Sequence, residues 1–184
     1  DIYGFLGYKA LNSDHDDGRA IDLTGGSIDF SMLYSIPTDS RFKPVLGGSL
    51  ESVGLSGEKK AKGTYGTSYT LFHKFNYLTL AANGGVKFFA TKDFALFGLV
   101  NLGHSIYDNY KIDYLLETNK VSVSNHYLYG ITAMGAYKLG ETFSLGANLI
   151  FNKHSMHASV ENSDVTKTYN YNENSFNIVC MWSI

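Results

Sequence analysis

The chain has 184 residues, with 15 basic and 17 acidic side chains, one Cys, 19 Gly, 12 Phe, 14 Tyr and one Trp. A net charge of -2 gives no basic footprint for nucleic acid. A lone Cys excludes an internal disulfide and a cysteine-rich metal site, and the length is one domain's worth, taken as residues 1–184. Charged residues make up 17%, well under the roughly 25% of an average globular chain, which is odd for a soluble enzyme. No apolar run approaches the roughly 20 residues of a spanning helix. The chain opens at Asp1 without Met, so an export signal is expected to have been removed ahead of it.

Period two runs through the chain from its first residues. Ile2, Gly4, Leu6, Tyr8 and Ala10 alternate with polar positions that include Lys9. Ile28, Phe30, Met32, Tyr34 and Ile36 share one face, opposite Ser27, Asp29, Ser31 and Ser35. The third set is Pro44, Leu46, Gly48 and Leu50, with Glu51 on the other parity. The fourth runs from Leu78 through Leu80, Ala82, Gly84 and Val86 to Phe88, opposed by Asn83 and Lys87. Phe94, Leu96, Gly98, Val100 and Leu102 follow, with Asn101 opposite. Tyr129 to Tyr137, Phe143 to Phe151 and Phe176 to Ile184 complete eight segments. None of the apolar positions carries a charge or an amide. Strict alternation of this kind predicts strands with one apolar face.

Connections of two lengths separate these segments. Short ones fall at 37–43, 91–93 and 139–142, and long polar ones at about 12–23, 56–73, 108–126 and 153–174. Interleaved on eight strands, they put every long loop at one end. That predicts an all-β, eight-stranded antiparallel up-and-down barrel with short periplasmic turns, long extracellular loops and both termini periplasmic. A soluble barrel would turn its polar face to water and fill it with Lys and Glu. Here that face is mostly Ser, Thr, Asn and Gly, and aromatics gather at segment ends as interfacial girdles do. The apolar face is therefore assigned to lipid and the small polar face to the lumen.

Residues 41–50, Arg-Phe-Lys-Pro-Val-Leu-Gly-Gly-Ser-Leu, resemble the turn-to-strand passage of the neisserial surface protein A and opacity adhesin barrels. Residues 175–184 are similar to the C-terminal strand that the barrel-assembly machinery recognises, with Trp182 keeping an aromatic before a terminal Ile in place of the usual Phe. The layout is also OmpA-like and OmpX-like. The resemblance implies a bacterial outer-membrane protein of the adhesin or virulence type. It would be a non-enzymatic anchor whose loops bind host extracellular or serum proteins or lipopolysaccharide, surrounded by outer-membrane lipid.

An eight-stranded lumen is just wide enough for side chains to fill. Lys9, Asp29, Glu51, Asn83 and Asn101 are expected to form its polar network, with Lys9, Asp29 and Glu51 as a buried charged cluster plugging the barrel, because a charge there must find a partner. In the first long loop Asp14, Asp16 and Asp17 form an acidic stretch that does not fit a calcium-loop template. In the second, Lys59, Lys60 and Lys62 offer contacts for phosphate or glycan. No metal and no cofactor is implied.

Two functions of other classes compete. His157 and Ser159 followed by Glu173 are similar in spacing to the pair and carboxylate of outer-membrane lipid A deacylases. They would act as base, nucleophile and orienter. Against this, Glu173 has the inward parity while His157 and Ser159 have the outward one, and the rest of that family's motif is absent. A side-opening channel for small apolar solutes is the other alternative. His154 and His157 are expected to face solvent, and Cys180 the apolar side.

Overall fold

A computed structural model describes residues 2–13, 21–62, 68–114, 117–160 and 166–182. Eight strands follow one another: β1 (Ile2–Ser13), β2 (Leu23–Ser35), β3 (Phe42–Lys62), β4 (Ser68–Phe89), β5 (Phe94–Tyr114), β6 (Glu117–Lys138), β7 (Phe143–Val160) and β8 (Thr166–Trp182). Each pairs antiparallel with the next, and β8 pairs with β1 to close the barrel. Closure gives each strand a neighbour on both sides within the belt, which is what a sheet in hydrocarbon requires. The all-β, eight-stranded meander expected from the periodicity is the observed fold.

The outer wall carries an apolar belt. On β5 it runs through Leu96, Val100 and Leu102, on β6 through Tyr129, Ile131 and Tyr137, and on β7 through Leu145, Leu149 and Phe151, all exposed. From Phe143 to Phe151 is nine residues, within the roughly 9–11 that a tilted strand needs to cross a bilayer core. Aromatic rings mark its periplasmic edge, where Phe42 stacks on Phe88 at 4.6 Å and Phe143 meets Trp182 at 5.4 Å. Tyr8, Tyr127, Tyr129, Phe151 and Phe176 mark the other edge. Cys180 is half-buried on this face, on the parity that the sequence gives it.

The strands do not stop at the belt. β3 continues twelve residues past Leu50 and β5 twelve past Leu102. Residues 56–62 and 68–73, expected as loop, are therefore strand, and so is most of 108–126 and of 153–174. Beyond the belt the alternation inverts. Lys74 and Asn76 point outward to water while Phe75 and Tyr77 fill the interior.

The interior is layered. Read upward from the periplasm, β8 turns Met181, Val179, Asn177, Ser175, Glu173 and Tyr171 inward, which is apolar, polar, charged and apolar again. The lower apolar layer gathers Leu33, Val45, Phe97, Met134, Val179 and Met181, and the upper one Leu23, Val53, Phe75, Tyr77, Met156 and Tyr171. The lumen is thus not uniformly small and polar, as its composition near the belt implies. Glycine admits the polar layer. A Cβ at Gly7 would lie 1.6 Å from the Asn177 amide oxygen, and Asn177 Nδ2 donates across to Asn148 Oδ1 at 2.6 Å.

Ala133→Lys, exposed on the outer wall midway between Tyr129 and Tyr137, places an ammonium in the middle of the belt and is expected to cost about 2–4 kcal/mol. Urea unfolding in lipid vesicles reads the loss. A change near zero would mean that Ala133 does not meet lipid.

Candidate functional site

One connected run of ion pairs and hydrogen bonds in the charged layer takes a side chain from every strand except β2 and β4: Lys9 on β1, Glu51 on β3, Asp108 on β5, His126 on β6, His154 on β7 and Glu173 on β8; buried Asp29 on β2 lies beside it. The layer sits at the outer edge of the belt, with Leu50, Phe151 and Phe176 on the outer wall just below it. Lys9 is fully buried and donates to Glu51 Oε2 at 2.7 Å and to Glu173 Oε1 at 2.8 Å. Glu173 also accepts from Ser175 Oγ at 2.7 Å, Asn152 Nδ2 at 3.3 Å and His154 Nε2 at 2.5 Å. His154 Nδ1 meets His126 Nε2 at 2.9 Å, and His126 Nδ1 meets Asp108 Oδ1 at 2.7 Å. Tyr77 on β4 packs its ring on both imidazoles, 5.2 Å from His126 and 5.8 Å from His154, centroid to centroid.

Of the residues read from the sequence, Lys9 and Glu51 come together in this layer. Asp29 is the Cα partner of Glu51 across β2–β3 and accepts from Ser31 Oγ at 2.5 Å. Asn83 and Asn101 are partners across β4–β5 one layer lower. There Asn101 Nδ2 donates to Thr132 Oγ1 at 2.8 Å and to Asn152 Oδ1 at 3.3 Å. Asp29, Glu51, Thr79, Asn83 and Asn101 line an interior cavity of about 40 Å³, room for a few waters at about 10–15 Å³ each.

Other assignments change. Lys59, Lys60 and Lys62 lie on β3 rather than in a loop, because the β3–β4 hairpin continues above the belt. Asp14, Asp16 and Asp17 lie outside the described residues. His154 is buried, not solvent-facing, since β7 persists to residue 160 and its even positions face inward. His157, Ser159 and Glu173 do not assemble. The first two are half-buried on the outward parity, with His157 Nδ1 against Asn125 Nδ2 at 3.2 Å, while Glu173 is buried inside. Among the described residues no group of three or more His, Cys, Asp or Glu is placed to hold a metal.

Sequence reasoning missed Asp108, His126 and His154 as lumen groups. Their signal is parity carried past the belt, from Asn152 to His154 on β7 and from Glu173 to Tyr171 on β8. His126 likewise keeps the even inward parity of Leu128 and Thr132 on β6, whereas a bulge hides Asp108 on β5, where the inward positions switch from odd to even near Ile106.

Known proteins fix the class of barrel. No family model and no curated relative matches the chain. The structure of neisserial surface protein A aligns over 97% of this chain and 95% of its own, at 9% identity and a TM-score of 0.50. The outer-membrane protease OmpT from Escherichia coli aligns over 99% of this chain and 96% of its own, at 9% identity and 0.52. The chain is a small eight-stranded outer-membrane β-barrel. Identities this low establish the shared fold, and with the apolar belt they place the barrel in the bacterial outer membrane.

Two consequences are measurable. Glu173→Gln withdraws the anion shared by Lys9 and His154, and is expected to cost about 3–5 kcal/mol, as breaking a buried ion pair does. Glu51→Gln should cost less, because Lys9 keeps Glu173, and equal losses in unfolding experiments would contradict that ranking. Above the belt, burial, aided by the nearby Lys59 charge, lowers the His73 pKa to about 4. Its unfolded value is about 6.5, so between the two the unfolded chain binds the extra proton and stability rises with pH. That contribution is complete above about 6.5 and is lost toward 4. His73→Phe is expected to flatten this part of the stability profile; an unchanged slope would count against the buried neutral His73.

Proposed function

We propose that the barrel is a non-enzymatic surface protein with a plugged lumen, which anchors a rigid β-extension and its connecting loops for contact with host extracellular or serum proteins. The supporting observation is the length of the strands beyond the belt. Twelve residues past Leu50 or Leu102 amount to roughly 40 Å of strand. Phe75, Tyr110, Val121, Met156 and Tyr171 pack inside this extension and give it a core of its own. A connection without such a core would have no apolar burial to offset the entropy of ordering it.

Its outer face has the chemistry of a contact surface in water. Lys74, Lys111 and Lys120 are consecutive register partners across β4, β5 and β6, and Lys74 donates to Asp113 at 2.9 Å. Lys60 and Lys62 lie exposed further up β3. These lysines also stand toward the phosphates of surrounding lipopolysaccharide, whose contacts would seat the barrel. The lipid A hydrolase alternative has no support from the positions of His157, Ser159 and Glu173.

Cells expressing the chain are expected to bind immobilised matrix or serum proteins above an empty-vector control. Deleting residues 58–72, the top of the β3–β4 hairpin, should abolish binding while heat-modifiable migration on a detergent gel is kept. Binding at control level, or binding untouched by the deletion, would refute the proposal.

A further inference from the structure

At the outer edge of the belt the ladder between β5 and β6 is interrupted. Pairing runs to His104 with Tyr127 and resumes at Tyr110 with Val121. Residues 105–109 and 122–126 have no register partner across this seam. Both strands bulge here against their other neighbours. Ile106 is the extra residue between Leu78–Tyr107 and Thr79–Ser105 on one side. On the other, Asn125, at a φ of 51°, and His126 fall between Ser124–His157 and Tyr127–Ser155. Bulges bend a strand and sharpen its twist, which parts β5 from β6. A side-chain bond spans the gap: His126 on β6 to Asp108 on β5, at 2.7 Å.

That bond ends a relay of three, Asp108–His126, His126–His154 and His154–Glu173, at 2.7, 2.9 and 2.5 Å. Each needs one proton between its two heavy atoms. Two neutral imidazoles bring two protons and two carboxylates bring none, so three bonds require one more. Glu173 already accepts from Lys9, Ser175 and Asn152 and is ionised. Ionised carboxylates accept and do not donate, so the extra proton belongs to the histidine pair. With Nδ1–H of His126 aimed at Asp108 and Nε2–H of His154 aimed at Glu173, one proton remains for the central bond.

We propose that Asp108, His126, His154 and Glu173 form a proton-loaded latch on the β5–β6 seam, holding one proton more than two neutral histidines carry and loosening the seam when acid adds another. The surroundings favour a single excess proton. Lys9 from β1 faces Glu173 and Glu51, Asp29 on β2 stands beside Glu51, and Tyr77 on β4 covers both imidazoles with its ring. Lys9 and the histidine pair then bring two positive charges against the carboxyl groups of Asp29, Glu51, Asp108 and Glu173. A fourth proton on the relay has two places to go. On the pair it sets two N–H groups against each other. On Asp108 it removes the anion that faces the positively charged pair, which weakens the bond across the seam. The Asp108 side chain is 10% exposed and that of His126 1%, so acid enters at the seam end.

Amide hydrogen exchange by mass spectrometry on the intact barrel in nanodiscs reads the seam directly. Residues 105–109 and 122–126 are compared with belt residues 94–102 and 129–137 of the same molecule, which cancels the intrinsic pH effect. Relative protection of the seam is expected to fall about tenfold from pH 7 to pH 5, the range in which histidines change charge. Asp108→Asn should show the low value at both pH values. Seam protection independent of pH in the wild type, or closed as in wild type in the variant, would overturn the latch. If the variant does not fold, nitrogen NMR of the wild-type histidines decides. Three protonated ring nitrogens in the pair at pH 7 are expected, and two would overturn the proton count.

Discussion

A lysine ammonium enclosed in a barrel has no water to hold it, and the rest of the interior is arranged around that constraint. Lys9 on β1 reaches Glu51 on β3 and Glu173 on β8, so its two ion pairs draw together strands on both sides of the closing β1–β8 seam. Leaving one such ion unpaired costs several kcal/mol, and a slip of one residue in β1 would turn Lys9 into lipid and Tyr8 into the lumen. Ion pairing and the apolar belt therefore select the same register. Neither exchanges its solvent without the other doing so.

Above the charged layer, and below the polar layer beneath it, the interior is apolar, and these two apolar layers have different tasks. The lower one, with Phe97, Met134 and Met181, fills the barrel where lipid surrounds it. The upper one, with Phe75, Tyr77 and Met156, lies where water surrounds the wall and supplies the burial that keeps long hairpins folded outside the membrane. Between them, polar side chains bond between neighbouring strands, as in Asn177 on β8 with Asn148 on β7 and Asn101 on β5 with Thr132 on β6. Rigidity beyond the membrane is thus a result of packing, and it makes the extension one packed unit rather than a set of independent loops.

The strands within the belt, their faces and the Lys9–Glu51 pairing were legible in the sequence, because there the outer solvent is lipid and every apolar residue shares one parity. Past the belt the outer solvent is water and the interior is apolar, so the same strand continues with its hydrophobic phase reversed. On β4 the apolar parity changes from Leu80 and Leu78 to Tyr77 and Phe75; on β3 it changes from Leu46 and Leu50 to Val53 and Leu55. A window laid across that reversal reads as a polar loop. On β5 and β6 the bulges near Ile106 and Asn125 shift the parity again. Hence Asp108, His126 and His154 fell into expected loops, although they line the lumen. The separation of His157 and Ser159 from Glu173, in contrast, was legible from parity alone.

Two apolar layers with a polar one between them support the proposed plugged lumen, and ion conduction tests that proposal most directly. Purified barrel inserted in planar bilayers at neutral pH is expected to give no current steps above the bare membrane, because an ion crossing it would have to pass Phe97 and Met134 at one end and Phe75 and Tyr77 at the other. Reproducible unitary steps at that pH would contradict it.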